Sequence, residues 1–366
     1  MTKVRYSYLK QQFSNAEDLW DELKKFVPTG DFTLGKPLYE FEDNFAKMIG
    51  VNHAIGVNSG TDAIKIPLKA LGIKPGDEII TAANTFVATV GAIREIGAIP
   101  VFVDCDDTFC MDTNLIEQKI TKKTRALVPV HFTGYMTNME NIMLIANKYN
   151  LTVVEDACQS ILGEYKGKKA GCWGDAASFS LHPLKNLNVW SDGGIITTNS
   201  KDINDKVRLL RNHGLIDRDT VEVMGYNSRL DTLQAVVGNW LLPKTHEIAN
   251  QRIKNANYLD NGLGKIKQIR IPDRPKDFKI VYHLYIIFAQ ERDGLLEHCL
   301  ANGIEAKIHY PKPIYLQNAL SDLGYKKGDF PITDKHAKSI ISFPCDQHLE
   351  IDQLDYIIDT VKNFYK

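Results

Sequence analysis

From residue 53 onward the chain repeats one pattern: a short, nearly unbroken apolar run, a turn, then a longer stretch whose apolar positions fall three and four apart. The runs are Ala54-Ile55-Gly56-Val57, Asp77-Glu78-Ile79-Ile80-Thr81, residues 99–104, 124–130 and 151–156. Runs so short and continuous predict strands buried on both faces. The stretches between predict helices: one opening at Asn58 and carrying Ile64, Leu68 and Leu71, one ending at Ile96, and one over residues 139–149. This alternation predicts an α/β fold, a mostly parallel sheet covered by helices on both faces, with ligands at the carboxyl ends of its strands.

Upstream, Leu19, Trp20, Leu23 and Phe26 predict a helix running through Lys25, ended by Pro28-Thr29-Gly30-Asp31. Gly35-Lys36-Pro37 marks a loop before a second helix over 39–48. That loop reads equally as the cover of a site and as a plain connector. Downstream, residues 202–214 are helical, and an apolar helix follows through Ala235, Val236, Val237, Trp240 and Leu241. Pro243 and a polar helix over 248–263 mark a hinge, so residues 1–245 are expected to form a large domain and 246–366 a smaller α+β one. The smaller unit is expected to hold strands over 280–288 and 305–310, a helix over 293–302 and a final helix with Leu354, Ile357, Ile358, Val361 and Phe364.

Composition narrows the function classes. The 366 residues are 44% hydrophobic and 24% charged, with 44 Lys+Arg against 45 Asp+Glu, a net charge of −1. That balance gives no overall attraction to nucleic acid or an anionic membrane. No apolar run approaches the roughly 18 residues needed to span a bilayer, and Met1-Thr2-Lys3-Val4-Arg5-Tyr6 lacks a signal-peptide core. The expected location is the cytoplasm. Cys105, Cys110, Cys158, Cys172, Cys299 and Cys345 form no CxxC pair and read as reduced small hydrophobes. The histidines form no HExxH pair, and no metal site is expected.

Candidate chemistry gathers around the stretch from Ala177 to Leu187, where a small-residue strand enters a Pro183-stiffened loop that presents Lys185; Gly193-Gly194 then return the chain as a second strand. Asp156 ends an apolar strand at the functional edge of the sheet. Ser59-Gly60-Thr61 sits where a strand gives way to a helix, so backbone N–H groups and the positive end of the helix dipole face outward for an anion. Together they offer a covalent anchor, a carboxylate partner for a ring nitrogen and a phosphate cradle, to which Ser180 and Asn227 would add donors. Gln159 is placed to reach a ring hydroxyl and Phe86 to stack on a ring. Each has a plainer reading alone: a solvated lysine, a helix cap for Asp156 or for Ser59-Gly60-Thr61, a core phenylalanine. A lysine whose amine is lowered by burial serves as nucleophile and then as base.

The ordered motifs Gly60-Thr61-Asp62-Ala63, Glu155-Asp156-Ala157-Cys158-Gln159-Ser160, Ser178 through Asn186, Gly193-Gly194 and Tyr226-Asn227-Ser228-Arg229-Leu230-Asp231 resemble the DegT/DnrJ/EryC1/StrS family of sugar aminotransferases. The resemblance runs from Gly30-Asp31-Phe32-Thr33-Leu34-Gly35 to His309-Tyr310-Pro311 and Gly324-Tyr325. It implies fold type I of the pyridoxal-phosphate (PLP) enzymes, with a mostly parallel seven-stranded sheet, and a homodimer whose two sites lie at the subunit interface. It implies a transaminase of the EC 2.6.1 type, with the pyridoxamine form (PMP) as intermediate. The amino group would pass from an amino acid, glutamate, to a keto sugar, foremost a nucleotide-linked keto-deoxysugar, in amino-sugar biosynthesis for a surface polysaccharide such as lipopolysaccharide or for a secondary metabolite.

By position, the resemblance implies that Lys185 bonds the cofactor, Asp156 faces its pyridine nitrogen and Gln159 contacts its ring oxygen. Phe86 would stack on the ring, with Gly60, Thr61 and Ser180 on the phosphate and Asn227 reaching it from the partner subunit. Arg229, His309, Tyr310, Tyr315 and Trp190 would face substrate. Two rivals remain, a PMP-dependent sugar dehydratase or deoxygenase, in which histidine replaces the lysine, and a non-catalytic regulatory relative; Lys185 with Asp156 favours amino transfer. The chain departs from the family pattern at Pro67, where a kink is expected, at Asn138, at Tyr315 and in the loop Asn188-Val189-Trp190-Ser191, the last two near where a sugar would bind.

Overall fold

The computed structural model describes residues 3–366. Five of the apolar runs become strands β1 (His53–Val57), β2 (Glu78–Ala82), β3 (Ile99–Val103), β4 (Thr124–Val128) and β5 (Thr152–Asp156). A small hairpin, β6 (Glu164–Tyr165) and β7 (Lys168–Lys169), precedes β8 (Ala176–Ser180) and β9 (Gly194–Thr198). The seven-stranded sheet has the order β1-β9-β8-β5-β4-β2-β3. Neighbours from β8 to β3 pair in parallel, while β9 is antiparallel to both β8 and β1, so only β9 is reversed. Helices on both faces bury these strands, and β8 and β9 have no exposed residue.

One strand residue breaks the apolar rule for a structural reason. Glu155 in β5 is fully buried, yet its carboxylate accepts from the amides of Gly171, Trp173 and Gly174 at 2.8–3.0 Å and pairs with His131 Nε2 at 3.0 Å. Burial alone would raise its pKa, but the His131 contact and those amides outweigh it and hold the group below the ordinary glutamate value. A group lowered in this way contributes stability that is lost as pH falls through its folded pKa. The acid thereby pins the 171–174 loop under the strand whose next residue is Asp156.

At Pro67, where a kink is expected, the helix is not broken. The helix Gly60–Ala70 runs through Pro67, which has no N–H to give the Ala63 carbonyl one turn earlier. The Ser178 hydroxyl, from β8, donates to that carbonyl at 2.7 Å. Strand and helix are thus stitched together at the point where the helix's own ladder is interrupted.

The C-terminal part is built on a second sheet. Strands β10 (Ile269–Arg270), β11 (Phe278–Lys279), β12 (Tyr285–Ala289) and β13 (Ile340–Phe343) follow; β10, β12 and β13 form one antiparallel sheet, and β11 pairs with β6. Leu259, Leu295, Ile357 and Val361, from the helices Thr245–Leu263, Arg292–Ala301 and Ile351–Phe364, share one core with this sheet. The N-terminal segment belongs to it as well: the amides of Lys3 and Val4 donate to the Gly303 carbonyl at 2.8 and 3.1 Å, and Val4 and Tyr8 are buried there.

Three expectations are corrected. The single N-terminal helix is two, Leu9–Gln12 and Glu17–Phe26. The strand expected over 280–288 is interrupted between β11 and β12, because Val281 and Leu284 donate instead to the carbonyls of Gly134 and Thr133, both at 3.2 Å, with Tyr282 at a positive φ of 46°. The strand expected over 305–310 shrinks to one bridge, Lys307 to Ser342. Among the described residues no helix is long and apolar enough to cross a membrane.

Ser178→Ala leaves the buried Ala63 carbonyl without a donor and should lower unfolding free energy by about 1–3 kcal/mol in denaturant titration. Combining it with Pro67→Ala restores an N–H at position 67, so the serine's removal should cost less in that background; equal costs in both backgrounds would refute the stitch.

Candidate active site

A cavity of about 360 Å³ opens where the carboxyl end of β5, the helix Gly60–Ala70 and the loop after β8 meet the C-terminal sheet. Asp156 lies at its floor, 4% exposed. One carboxylate oxygen accepts from the Thr89 hydroxyl at 2.7 Å, which is itself bonded to Thr85 at 2.7 Å, and the other from the Cys158 amide at 3.2 Å. Each oxygen keeps a free lone pair, so the acid is oriented without being used up. Gln159 accepts from the Thr133 amide at 2.8 Å through its side-chain oxygen, which leaves its NH2 group as the available donor.

The anion-binding end is built by close approach. Ser59 caps the helix by accepting from Asp62 N at 3.1 Å, and its carbonyl accepts from Ala63 N, leaving the amides of Gly60 and Thr61 outside the helical ladder. A Cβ at Gly60 would come within 2.7 Å of Ser180 Cβ, and one at Gly194 within 2.2 Å of the Ser59 carbonyl oxygen. Glycine at both positions lets β8, β9 and the helix start converge, bringing Ser180 beside Gly60 and Thr61.

Lys185 enters from the loop after β8. Its amide donates to the His182 carbonyl at 2.8 Å and its carbonyl accepts from Asn188 Nδ2 at 2.9 Å, while Asn186 Nδ2 reaches the Val281 carbonyl at 2.9 Å. The loop is therefore tied to the 280–284 interruption. Lys185 Nζ stands 3.5 Å from His283 Nε2. Burial lowers the amine's pKa below the ordinary lysine value, with Cys158 and Asp156 pulling the other way without reversing it.

The opposite wall carries Tyr6, Lys307, His309 and Tyr310. His309 bonds the Ser342 hydroxyl at 2.9 Å, and burial followed by the charges of Lys307 and Lys185 lowers its pKa to about 4. It is neutral at physiological pH. Phe86 is 49% exposed, with its ring centroid 5.8 Å from that of Tyr310, so it is a cavity wall and not core.

Of the residues named from sequence, Lys185, Asp156, Gly60, Thr61, Phe86, Gln159, Ser180, His309 and Tyr310 line this one cavity. Asn227 and Arg229 instead line a separate hollow of about 330 Å³ with Phe32, Thr33 and Asn58, and Arg229 bonds Asn212 at 2.9 Å. The structure does not bring Trp190 or Tyr315 to the cavity. Trp190 packs on Phe13 and Trp20 at 5.9 and 5.2 Å, because the N-terminal helices cover its loop. Tyr315 is buried against Phe330 and donates to Asp334 at 2.5 Å. Sequence reading missed Tyr6, Thr89, His283 and Lys307. Thr89 was findable as the residue one turn after Thr85, in the segment that follows β2, and His283 as the polar residue inside the apolar run 280–288.

The chain matches the DegT/DnrJ/EryC1/StrS aminotransferase family over residues 14–362. It is 38% identical over 98% of its length to a pleiotropic regulatory protein of Geobacillus stearothermophilus, covering 97% of that protein. It is 35% identical over 93% of its length to a dTDP-3-amino-3,4,6-trideoxy-alpha-D-glucose transaminase of Streptomyces venezuelae, covering 90% of it. Its fold superposes on S. venezuelae DesV, solved in complex with a ketimine intermediate, with a TM-score of 0.97 at 34% identity, covering 100% of this chain and 99% of that one. It superposes on NtdA from Bacillus subtilis, solved with bound PMP, with a TM-score of 0.93 at 30% identity, covering 100% and 86%.

The cavity fits such a cofactor: free amides and a hydroxyl at one end, an oriented carboxylate at its floor, an amine between walls. Gly60→Ala should leave the fold intact by circular dichroism yet crowd Ser180 by an overpacking term of about 1–3 kcal/mol. Retention of PLP in equilibrium dialysis should fall accordingly; unchanged retention would show that Gly60 and Ser180 do not hold the phosphate.

Proposed function

The chain belongs to the DegT/DnrJ/EryC1/StrS aminotransferase family and is a PLP-dependent transaminase; on that footing we propose that it carries an amino group from glutamate to a keto sugar linked to a nucleotide. The observation that carries the reading is the sharing of one cavity by Asp156, Lys185 and the Gly60–Thr61 amides. When bound, PLP supplies an electron-withdrawing ring that stabilises negative charge on the carbon undergoing transfer.

The roles of the chain's own residues follow from chemistry and position. Asp156 would hold the ring nitrogen protonated, its own carboxylate fixed by Thr89 and Cys158. With its NH2 free, Gln159 would donate to the ring hydroxyl, Phe86 would stack on the ring, and Gly60, Thr61 and Ser180 would bind the phosphate. Lys185 would anchor the cofactor and then move the proton, a task favoured by burial, which lowers the amine's pKa below the ordinary lysine value. Tyr310 and His309, which line the same cavity as Lys185, would face the substrate.

A second subunit completes the site in this reading. Asn227 and Arg229 sit outside the main cavity. Near them the chain exposes Ile216, Val221, Val223 and Met224, an apolar display that suits a covered surface in a homodimer. The dTDP-sugar transaminase among the relatives supports a nucleotide-linked acceptor. Production of an amino sugar for a surface polysaccharide or a secondary metabolite, in the cytoplasm, is the biological setting we attach to it.

Purified protein loaded with PLP should change its absorbance on adding glutamate as the cofactor takes up the amino group. Lys185→Ala should slow that change by on the order of 10²–10⁴-fold. No spectral response in the unaltered loaded protein would overturn glutamate as donor, and an undiminished rate in the variant would remove Lys185 from its role.

A further inference from the structure

The interruption between β11 and β12 is an expensive piece of chain. It gives up ladder bonds, sets Tyr282 at φ 46° and is held down from three sides: by the Gly134 and Thr133 carbonyls, by Asn186 Nδ2 on the Val281 carbonyl, and by Arg252, which donates to the Tyr282 carbonyl at 3.0 Å. What it delivers is one imidazole. His283 is thereby turned out of the C-terminal sheet into the cavity, with Nε2 3.5 Å from Lys185 Nζ.

The imidazole's charge state is fixed by its surroundings. It faces Lys185 and His182 from the loop after β8, Arg252 from the helix Thr245–Leu263 and His309 from the opposite wall, with Lys307 beyond. Asp156 and Cys158, from the end of β5, act on Lys185. Burial, and then the positive charge of Lys185 and Arg252, lowers the His283 pKa well below the ordinary histidine value. Toward the ammonium form of Lys185, which offers only N–H donors, a neutral imidazole accepts at Nε2 and carries its proton on Nδ1. Nδ1 is shut from solvent and has no partner among the described residues. A buried orphan of this kind is uncommon and calls for a reason.

We infer that His283 is a positioning residue for Lys185: it accepts an N–H from the amine whenever that amine is free of the cofactor, turning the nitrogen lone pair toward the reacting carbon. The inference rests on the role proposed above for Lys185. When Nζ takes the proton from the amino donor's α-carbon it becomes an ammonium, the same Nε2 lone pair receives a charge-assisted hydrogen bond, and Nζ then gives that proton up to the cofactor carbon bonded to the transferred nitrogen, which returns Lys185 to the free amine. His283 neither gains nor loses a proton, and no further reactant is needed.

The test uses the loaded protein converted to its PMP form, in which Lys185 is unbound. The pH dependence of Lys185 acylation by acetic anhydride, mapped by mass spectrometry, reports the amine directly and requires no turnover. In His283→Leu the ammonium loses its acceptor, so the labelling midpoint should move down by about one pH unit, and proton transfer in the glutamate half-reaction should slow by about 10- to 100-fold. Glutamate's KM and the PLP content should stay near those of the unaltered protein. His283→Gln, which keeps an acceptor oxygen, should recover part of both effects and guards against a folding defect in the leucine variant. A leucine variant with unchanged labelling midpoint and unchanged rate would overturn the inference. If glutamate gives no response in either protein but the midpoint still moves, the donor assignment has failed while the His283 contact stands.

Discussion

A carboxylate held buried at the end of a parallel strand is the constraint around which the site is arranged. Removing Asp156 from water is costly unless its oxygens find donors, and the fold supplies one to each: the Thr89 hydroxyl and the Cys158 amide. Neither donor carries a full charge, so the acid's charge is left available to a cationic partner in the cavity. One residue earlier, Glu155 is satisfied so completely by His131 and the 171–174 amides that it is purely structural. Two adjacent acids on one strand therefore do different work because successive side chains point to opposite faces of the sheet.

The same sheet sets where everything else can stand. Small residues in β8 and glycines at 60 and 194 let helix and strands converge until Ser180 touches the helix start, which is what a compact anion cradle requires. Ser178 closes the gap that Pro67 opens in that helix. Lys185 then hangs from a loop braced on one side by Asn188 and on the other by Asn186 against the C-terminal unit. The amine is placed by both halves of the chain, which ties its geometry to how those halves meet.

Much of this was legible in the residues. Continuous apolar runs announced β1 to β5, and the strand-edge rule placed Asp156 and the Ser59-Gly60-Thr61 turn where the cavity now lies. Those inferences succeed because they depend on local pattern. What escaped depends on tertiary contact: the N-terminal segment that carries Tyr6 into the wall is held by Gly303, some 300 residues away in sequence, and the break at 280–284 is imposed by Gly134 and Thr133 on a segment whose own composition favours a strand. The packing of Trp190 and Tyr315 away from the cavity was hidden for the same reason, since nothing near them in sequence announces Trp20 or Phe330 as partners.

In the proposed site Asp156 keeps the cofactor's ring nitrogen protonated while Lys185 handles the carbon. The nitrogen-15 chemical shift of the pyridine nitrogen, in protein loaded with labelled PLP, reads that state without reference to turnover. A protonated nitrogen across the pH range in which the protein is folded, lost in Asp156→Ala, is the expected result. An unprotonated nitrogen at neutral pH in the unaltered protein would contradict the account.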